Sequence, residues 1–311
     1  MRTARALIVV SVALATTLAA AAACAEVAVV DDAGARVTLA APARRIVSLA
    51  PHATELLFAA GAGAQVVGVV AGSNFPPQAA RLPSVGDVNA IDLERLVALA
   101  PDLVVTWPYT TSAQLAAIRR RGIAIFTSDA KTIDDIAVDL ERLGVLAGTT
   151  PVAARAARAF RDAIAAAHPR PAKQGEGGVT GVATPAPDPA SPRPAPTRVF
   201  YEIWGEPIFT IGGGHLISQA IALCGGVNVF GGLTVAAPVV DTEAVIAAAP
   251  DVIVAGADDA KRPAWLDAWK RWPQIPAVRD GRLRVVDANL LHRPGPRFAQ
   301  GVATLCAAIA R

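Results

Sequence analysis

The sequence predicts an α/β protein of two similar lobes, each a mainly parallel sheet with flanking helices, joined by a single long α-helix. Three observations predict it. Short β-rich runs alternate with helical patterns along both halves of the 311-residue chain, as parallel strands covered by helices require. Residues 92–106 recur at 241–255, an offset of 149, with seven of fifteen positions identical. Between the halves, Thr150-Pro151 opens an Ala-rich helical pattern running to about His168, with proline at a first-turn position.

Composition sets the class. With 53% hydrophobic residues and a net charge of only +3, the chain has too much apolar side chain and too little charge for disorder. Three cysteines are too few for a disulfide-dense mini-fold, and the length suits two cored domains. The pI of about 9.0 comes from a small excess of Lys and Arg spread along the chain without a cluster, so no nucleic-acid partner is expected.

Compartment is written in the first segment. Arg2 and Arg5 precede an uncharged run from Ala6 to Ala23 that ends in small residues before Glu26, the layout of a signal peptide over residues 1–25. Two processing routes fit: cleavage after Ala25, or a lipid anchor on Cys24. Removing the segment takes away two arginines and leaves a net charge of +1, with Cys224 and Cys306 as the remaining cysteines. A disulfide suits an oxidising compartment, and two buried free thiols are the alternative.

The N-terminal lobe is expected at 26–149. A hairpin turns at Asp31-Asp32-Ala33-Gly34, a strand follows at 45–49, and a helix starts near Thr54. Strands are read at 66–70, 103–107 and 123–127, and helices at 93–99, 113–120 and 133–146. The bridging helix takes 150–168. Residues 169–197 hold eight prolines, which cannot build a core and read as a disordered loop. The C-terminal lobe, 198–311, continues with strands at 198–203, 251–255 and 283–286. Its helical patterns lie at 216–224, 240–248 and 265–271, with a last one running through Cys306. Trp265, Trp269 and Trp272 stand at i, i+4 and i+7, a helix-packing stripe.

Aromatic residues mark a cleft between the lobes. Trp107 and Tyr109 follow a strand of the first lobe, and Tyr201 and Trp204 lie at the end of the first strand of the second. The carboxyl ends of parallel strands form ligand crevices, so these rings, with Phe75, are expected to wall a site for a large flat apolar ligand. Burial of the rings in the lobe cores is the alternative. Gly212-Gly213-Gly214-His215 offers backbone N–H groups to an anion or serves as a plain turn. His52, His168, His215 and His292 are widely spaced; each alone reads as a hydrogen-bonded loop histidine, and a bare metal site requires several to converge. No Gly-x-Ser-x-Gly, His-Glu-x-x-His or Cys-His pairing is present, so neither an enzyme nor a cofactor is expected. Glu94 and Glu243 occupy the same repeat position, each in a first helical turn where the dipole favours an acid. As a symmetric pair they also suit two basic residues on a homodimeric membrane partner.

Three segments carry a family resemblance. Arg45-Ile-Val-Ser-Leu-Ala-Pro-His-Ala-Thr-Glu-Leu-Leu-Phe-Ala-Ala-Gly, Asp92-Leu-Glu-Arg-Leu-Val-Ala-Leu-Ala-Pro-Asp-Leu-Val, and His215-Leu-Ile-Ser-Gln-Ala-Ile-Ala-Leu-Cys-Gly-Gly-Val-Asn-Val-Phe resemble the periplasmic cobalamin-binding receptors of ABC importers. These sit within the wider helical-backbone group of substrate-binding proteins, which also carry haem and ferric siderophores. The resemblance covers nearly all of residues 27–311 except the Pro-rich insert. It implies a periplasmic, monomeric receptor that captures cobalamin or a related corrinoid and delivers it to a permease dimer. It also implies that Phe75 and Trp107 contact the corrin, and that His52, Phe209, Asn289 and Arg293 lie at or beside the cleft. By the same token Glu94 and Glu243 dock on the permease, and Cys224 pairs with Cys306. Two departures stand out. Val88 and Ala237 occupy the places of two cleft tryptophans, and Tyr201 and Trp204 have no matching residues in the relative. Haem or a ferric siderophore is the alternative cargo; a bare metal ion or a hydrolase function is further off. A last expectation is that His52 ligates the cobalt from one face.

Overall fold

The computed structural model describes residues 26–87, 90–167 and 195–310. The expected signal peptide with Cys24, most of the Pro-rich insert, His168 and Val88 lie outside them. β1 (Val27–Val30) and β2 (Arg36–Leu39) form an antiparallel hairpin. Its turn closes at Gly34 with φ of 78°, a left-handed conformation that suits glycine.

The first lobe continues with β3 (Ile46–Ser48), α1 (Pro51–Ala59), β4 (Val66–Val69), α2 (Leu93–Ala98), β5 (Leu103–Thr106), α3 (Ser112–Arg119), β6 (Ala124–Thr127) and α4 (Ile133–Ala147). Its four strands are parallel in the order β4-β3-β5-β6. β5 is buried at all four positions, as a strand covered by helices on both faces must be. α1 starts three residues before the expected Thr54, because Pro51 at the first turn needs no N–H partner there.

α5 (Thr150–Ala167) carries the chain toward the second lobe, which contains β7 (Thr197–Gly205), β8 (Ile208–Thr210), α6 (Leu216–Leu223), β9 (Gly226–Asn228), α7 (Thr242–Ala248), β10 (Val252–Ala257), α8 (Ala264–Ala268), α9 (Pro276–Arg279), β11 (Leu283–Asp287), α10 (Ala288–Leu291) and α11 (Phe298–Ala310). Its sheet runs β11-β10-β7-β8, with β9 sharing the β8 edge of β7; only β8 is antiparallel. The expected helix over 265–271 breaks after Ala268 into a 3₁₀ turn. Trp269 is buried there and donates from Nε1 to Glu202 Oε2 at 2.9 Å. The tryptophan stripe therefore packs the core of this lobe, as expected.

The sequence echo has a structural counterpart. Asp92 and Asp241 cap α2 and α7, accepting from Arg95 N at 2.9 Å and Ala244 N at 2.7 Å. Both helices stop at an alanine in the left-handed region, Ala100 at φ 43° and Ala249 at φ 39°, each preceding a proline that disfavours helical backbone. Asp102 then accepts from Arg44 N at 2.8 Å, and Asp251 from Arg198 N at 2.8 Å. In each lobe the unit thus ties its helix stop to the start of the lobe's first parallel strand.

The lobes share one hydrophobic core. Ala153, Ala157 and Phe160 of α5 are buried in a cluster that includes α4, α6, α11 and strands of both sheets. Cys224, at the C-cap of α6, is disulfide-bonded to Cys306 of α11 with Cα atoms 4.7 Å apart, which settles the thiol alternative. Among the described residues, no helix is long and apolar enough to cross a membrane.

Candidate functional site: the cleft between the lobes

Strand ends converge where the lobes meet. Pro51 and His52 follow β3, Trp107 follows β5, Ser128 follows β6, Asp258 follows β10, and His292 and Arg293 follow β11 through α10. These residues line two neighbouring cavities of about 220 Å³ each, which share His52, Trp107 and His292.

His52 is 3% exposed, and burial holds its pKa down at about 4, so the ring is neutral at physiological pH. The Ser128 backbone beside it opposes that shift in part, while Nε2 is buried with no partner among the described residues. The indole of Trp107 stands 5.8 Å from it, and its Nε1 is likewise buried and unpaired. Tyr109 stacks edge-on against Trp107 at 4.7 Å and is 73% exposed, a ring at the rim.

Two further histidines line the first cavity. His215 caps α6, its Nδ1 accepting from Ile217 N at 3.1 Å; burial, then His292, lowers its pKa to about 4. His292 Nε2 lies 3.0 Å from Tyr201 Oη, and burial also brings it to about 4. Three neutral imidazoles thus face the space. The wall cations are already engaged. Lys131 pairs with Asp129 at 2.5 Å, and Arg293 reaches Asn74 Oδ1 at 2.8 Å and Glu55 Oε1 at 3.4 Å. Among the described residues, no three His, Cys, Asp or Glu side chains are placed to hold a metal ion.

Some expected wall residues stand elsewhere. Tyr201 is fully buried, because β7 turns it into the shared core; it touches the site only through His292. Trp204 is 58% exposed and donates to Glu206 O at 3.0 Å. It faces Phe209 across the β7–β8 hairpin, and neither lines the two cavities, since β7 runs past the crevice to Gly205. Phe75 borders a separate hollow of about 480 Å³ with Phe58 and Pro296, under the Arg297 guanidinium at 4.0 Å. Asn289 lines the second cavity with Arg293. The first two glycines of the triple serve chain packing: a Cβ on Gly212 would fall 2.1 Å from Val235 O, and one on Gly213 2.2 Å from Gly231 O, whereas Gly214 meets open space and lines the first cavity. Glu94 and Glu243 are exposed in the first turns of α2 and α7.

The arrangement has known counterparts. The chain matches the periplasmic binding protein family over residues 46–290. It belongs to that family. Curated relatives include the vitamin B12-binding proteins of Vibrio cholerae, 34% identical over 266 residues, 85% of this chain and 88% of the relative, and of Pectobacterium atrosepticum, 33% over 271 residues, 86% and 88%. The crystal structure of the periplasmic vitamin B12-binding protein of Vibrio cholerae superposes with a TM-score of 0.72 at 33% identity, covering 86% of this chain and 97% of that one. A periplasmic haem-binding protein from Roseiflexus gives 0.68 at 26%, with 86% and 97% covered. As a periplasmic binding protein, the chain places its cleft where the ends of its parallel strands meet.

Proposed function

We propose that this periplasmic binding protein captures cobalamin or a related corrinoid between its lobes and delivers it to the permease of an ABC importer. The observation that carries this reading is the 33–34% identity to vitamin B12-binding proteins over some 85% of the chain, against 26% to the haem binder. Wall chemistry agrees with it. A corrinoid presents a broad apolar face rimmed by neutral amides, and the space offers an indole, a rim tyrosine and three neutral imidazoles. Haem or an anionic siderophore brings carboxylates or similar groups that want free cations, and Lys131 and Arg293 already hold acidic partners. Each cavity alone is smaller than a corrinoid, and the two share His52, Trp107 and His292 as parts of one crevice. The leading 25 residues export the chain, by cleavage at Ala25 or with a lipid on Cys24.

Titrating the purified mature chain with cyanocobalamin, haemin and a ferric siderophore tests this. Saturable one-to-one quenching of tryptophan fluorescence by cyanocobalamin alone is expected, and Trp107→Ala should weaken it about tenfold, near 1.4 kcal/mol. A response to haemin or the siderophore without one to cobalamin overturns the ligand.

Glu94 and Glu243 serve as a pair of docking acids. Each sits on one copy of the duplicated unit, so the two meet like positions on a two-fold permease. Reversing both to lysine should leave the cyanocobalamin Kd unchanged and lower cobalamin uptake at least tenfold; wild-type uptake by the double variant rejects the role.

A further inference from the structure

We propose that Nε2 of His52 is an axial ligand to the cobalt of the bound corrinoid, replacing an exchangeable water on one face of the ring. The proposal rests on the corrinoid reading above and extends it to the bond that holds the metal. Three observations carry it.

The first is an unpaired lone pair. A buried polar atom without a partner is costly, and His52 Nε2 is such an atom in the wall of both cavities. The second is orientation. His52 contacts the Ser128 backbone in a bond that raises its pKa, as donation to a carbonyl does. With Nε2 unpaired, Nδ1 is the ring nitrogen left for Ser128, and Nε2 belongs to a residue that lines both cavities. Metal-binding histidines are held the same way, by a second hydrogen bond to a backbone carbonyl. Ser128 is itself anchored, its Oγ donating to the buried Asp139 Oδ2 at 2.6 Å. His215 caps α6 through Nδ1 and His292 meets Tyr201 through Nε2, and of the three wall imidazoles His52 alone has a ring nitrogen that is buried and unpaired among the described residues.

The third observation is number. No three His, Cys, Asp or Glu converge among the described residues, so the wall described offers single donors and no ready ligand set. One oriented imidazole suits a metal that arrives with four equatorial nitrogens of its own and one face open. The exchange balances simply. The Co–O bond to water breaks, a Co–N bond to Nε2 forms, and water leaves. The imidazole is already neutral, so no proton moves, and cobalt keeps its oxidation state.

Aquocobalamin and cyanocobalamin separate this bond from binding itself, because cyanide blocks the face that water leaves free. Binding is read by tryptophan quenching and ligation by the visible bands, with the free imidazole adduct of aquocobalamin as reference. In the wild-type chain both cobalamins should quench; aquocobalamin should shift to the bands of the imidazole adduct, and cyanocobalamin should keep its own. His52→Ala and His52→Gln should still be quenched by cyanocobalamin, which reports their folding. Both should lose the aquocobalamin shift, with at least tenfold weaker aquocobalamin binding. His292→Ala should keep the shift. Quenching with unshifted aquocobalamin bands in the wild-type chain overturns the ligation and leaves the receptor reading intact, as does a shift that persists without His52. Absence of quenching by either cobalamin overturns the receptor reading with it.

Discussion

Replacing Glu55 with alanine is expected to destabilise the protein by about 3 kcal/mol, the cost of leaving buried charge unpaired. Glu55 lies one turn along α1 from His52, with its side chain 2% exposed. It receives Arg297 Nε at 2.8 Å and Nη2 at 2.6 Å in a two-pronged bond, and Arg293 Nη1 approaches at 3.4 Å. Both arginines come from the segment between α10 and α11, so one carboxylate of the first lobe clamps two cations of the second. Removing it leaves two guanidinium groups, 17% and 18% exposed, beside each other with no acid between them. Arg297→Ala should cost less, because Glu55 keeps Arg293 as a partner. Urea unfolding at pH 7 checks the order; equal midpoints for Glu55→Ala and wild type would show the clamp to be energetically neutral. The clamp also bears on cargo. Freed from Glu55, Arg293 presents its charge to the second cavity, so Glu55→Ala should gain affinity for haemin relative to cyanocobalamin.

This clamp shows where reading the sequence stops. Glu55 and Arg297 are separated by 242 positions, and no local pattern connects them. The elements were legible because parallel strands buried on both faces read as apolar runs, and because the repeat fixed where each unit begins and ends. β8 and β9, of three residues each, are too short to show any period. Both-face burial also hides orientation: residues 198–203 give no alternation to say whether Tyr201 faces core or cleft. His52 also read singly as a loop histidine; its place beside the cleft came from the resemblance of residues 45–61 to the receptor family. His215 and His292 read singly as loop histidines, and they share a cavity only through the packing of one lobe on the other.

Removing the disulfide should cost about 4 kcal/mol, through the entropy that the cross-link takes from the unfolded chain. Cys224 and Cys306 lie 82 positions apart, a span that encloses most of the second lobe. The link also joins two helices of the shared core: α11 packs on α5 and on α6, so the bond fastens the last helix to the element that bridges the lobes. Unlinked, the closing segment of the chain rests on apolar packing by Phe298, Val302 and Leu305 alone. Cys224→Ser with Cys306→Ser should melt roughly 10 °C below wild type, and wild type melted in reductant should match it. A double variant with unchanged melting would show that packing of α11 already fixes the end of the chain. In reducing surroundings Cys224 and Cys306 are two thiols, so the full stability of the second lobe arrives only where the bond can form.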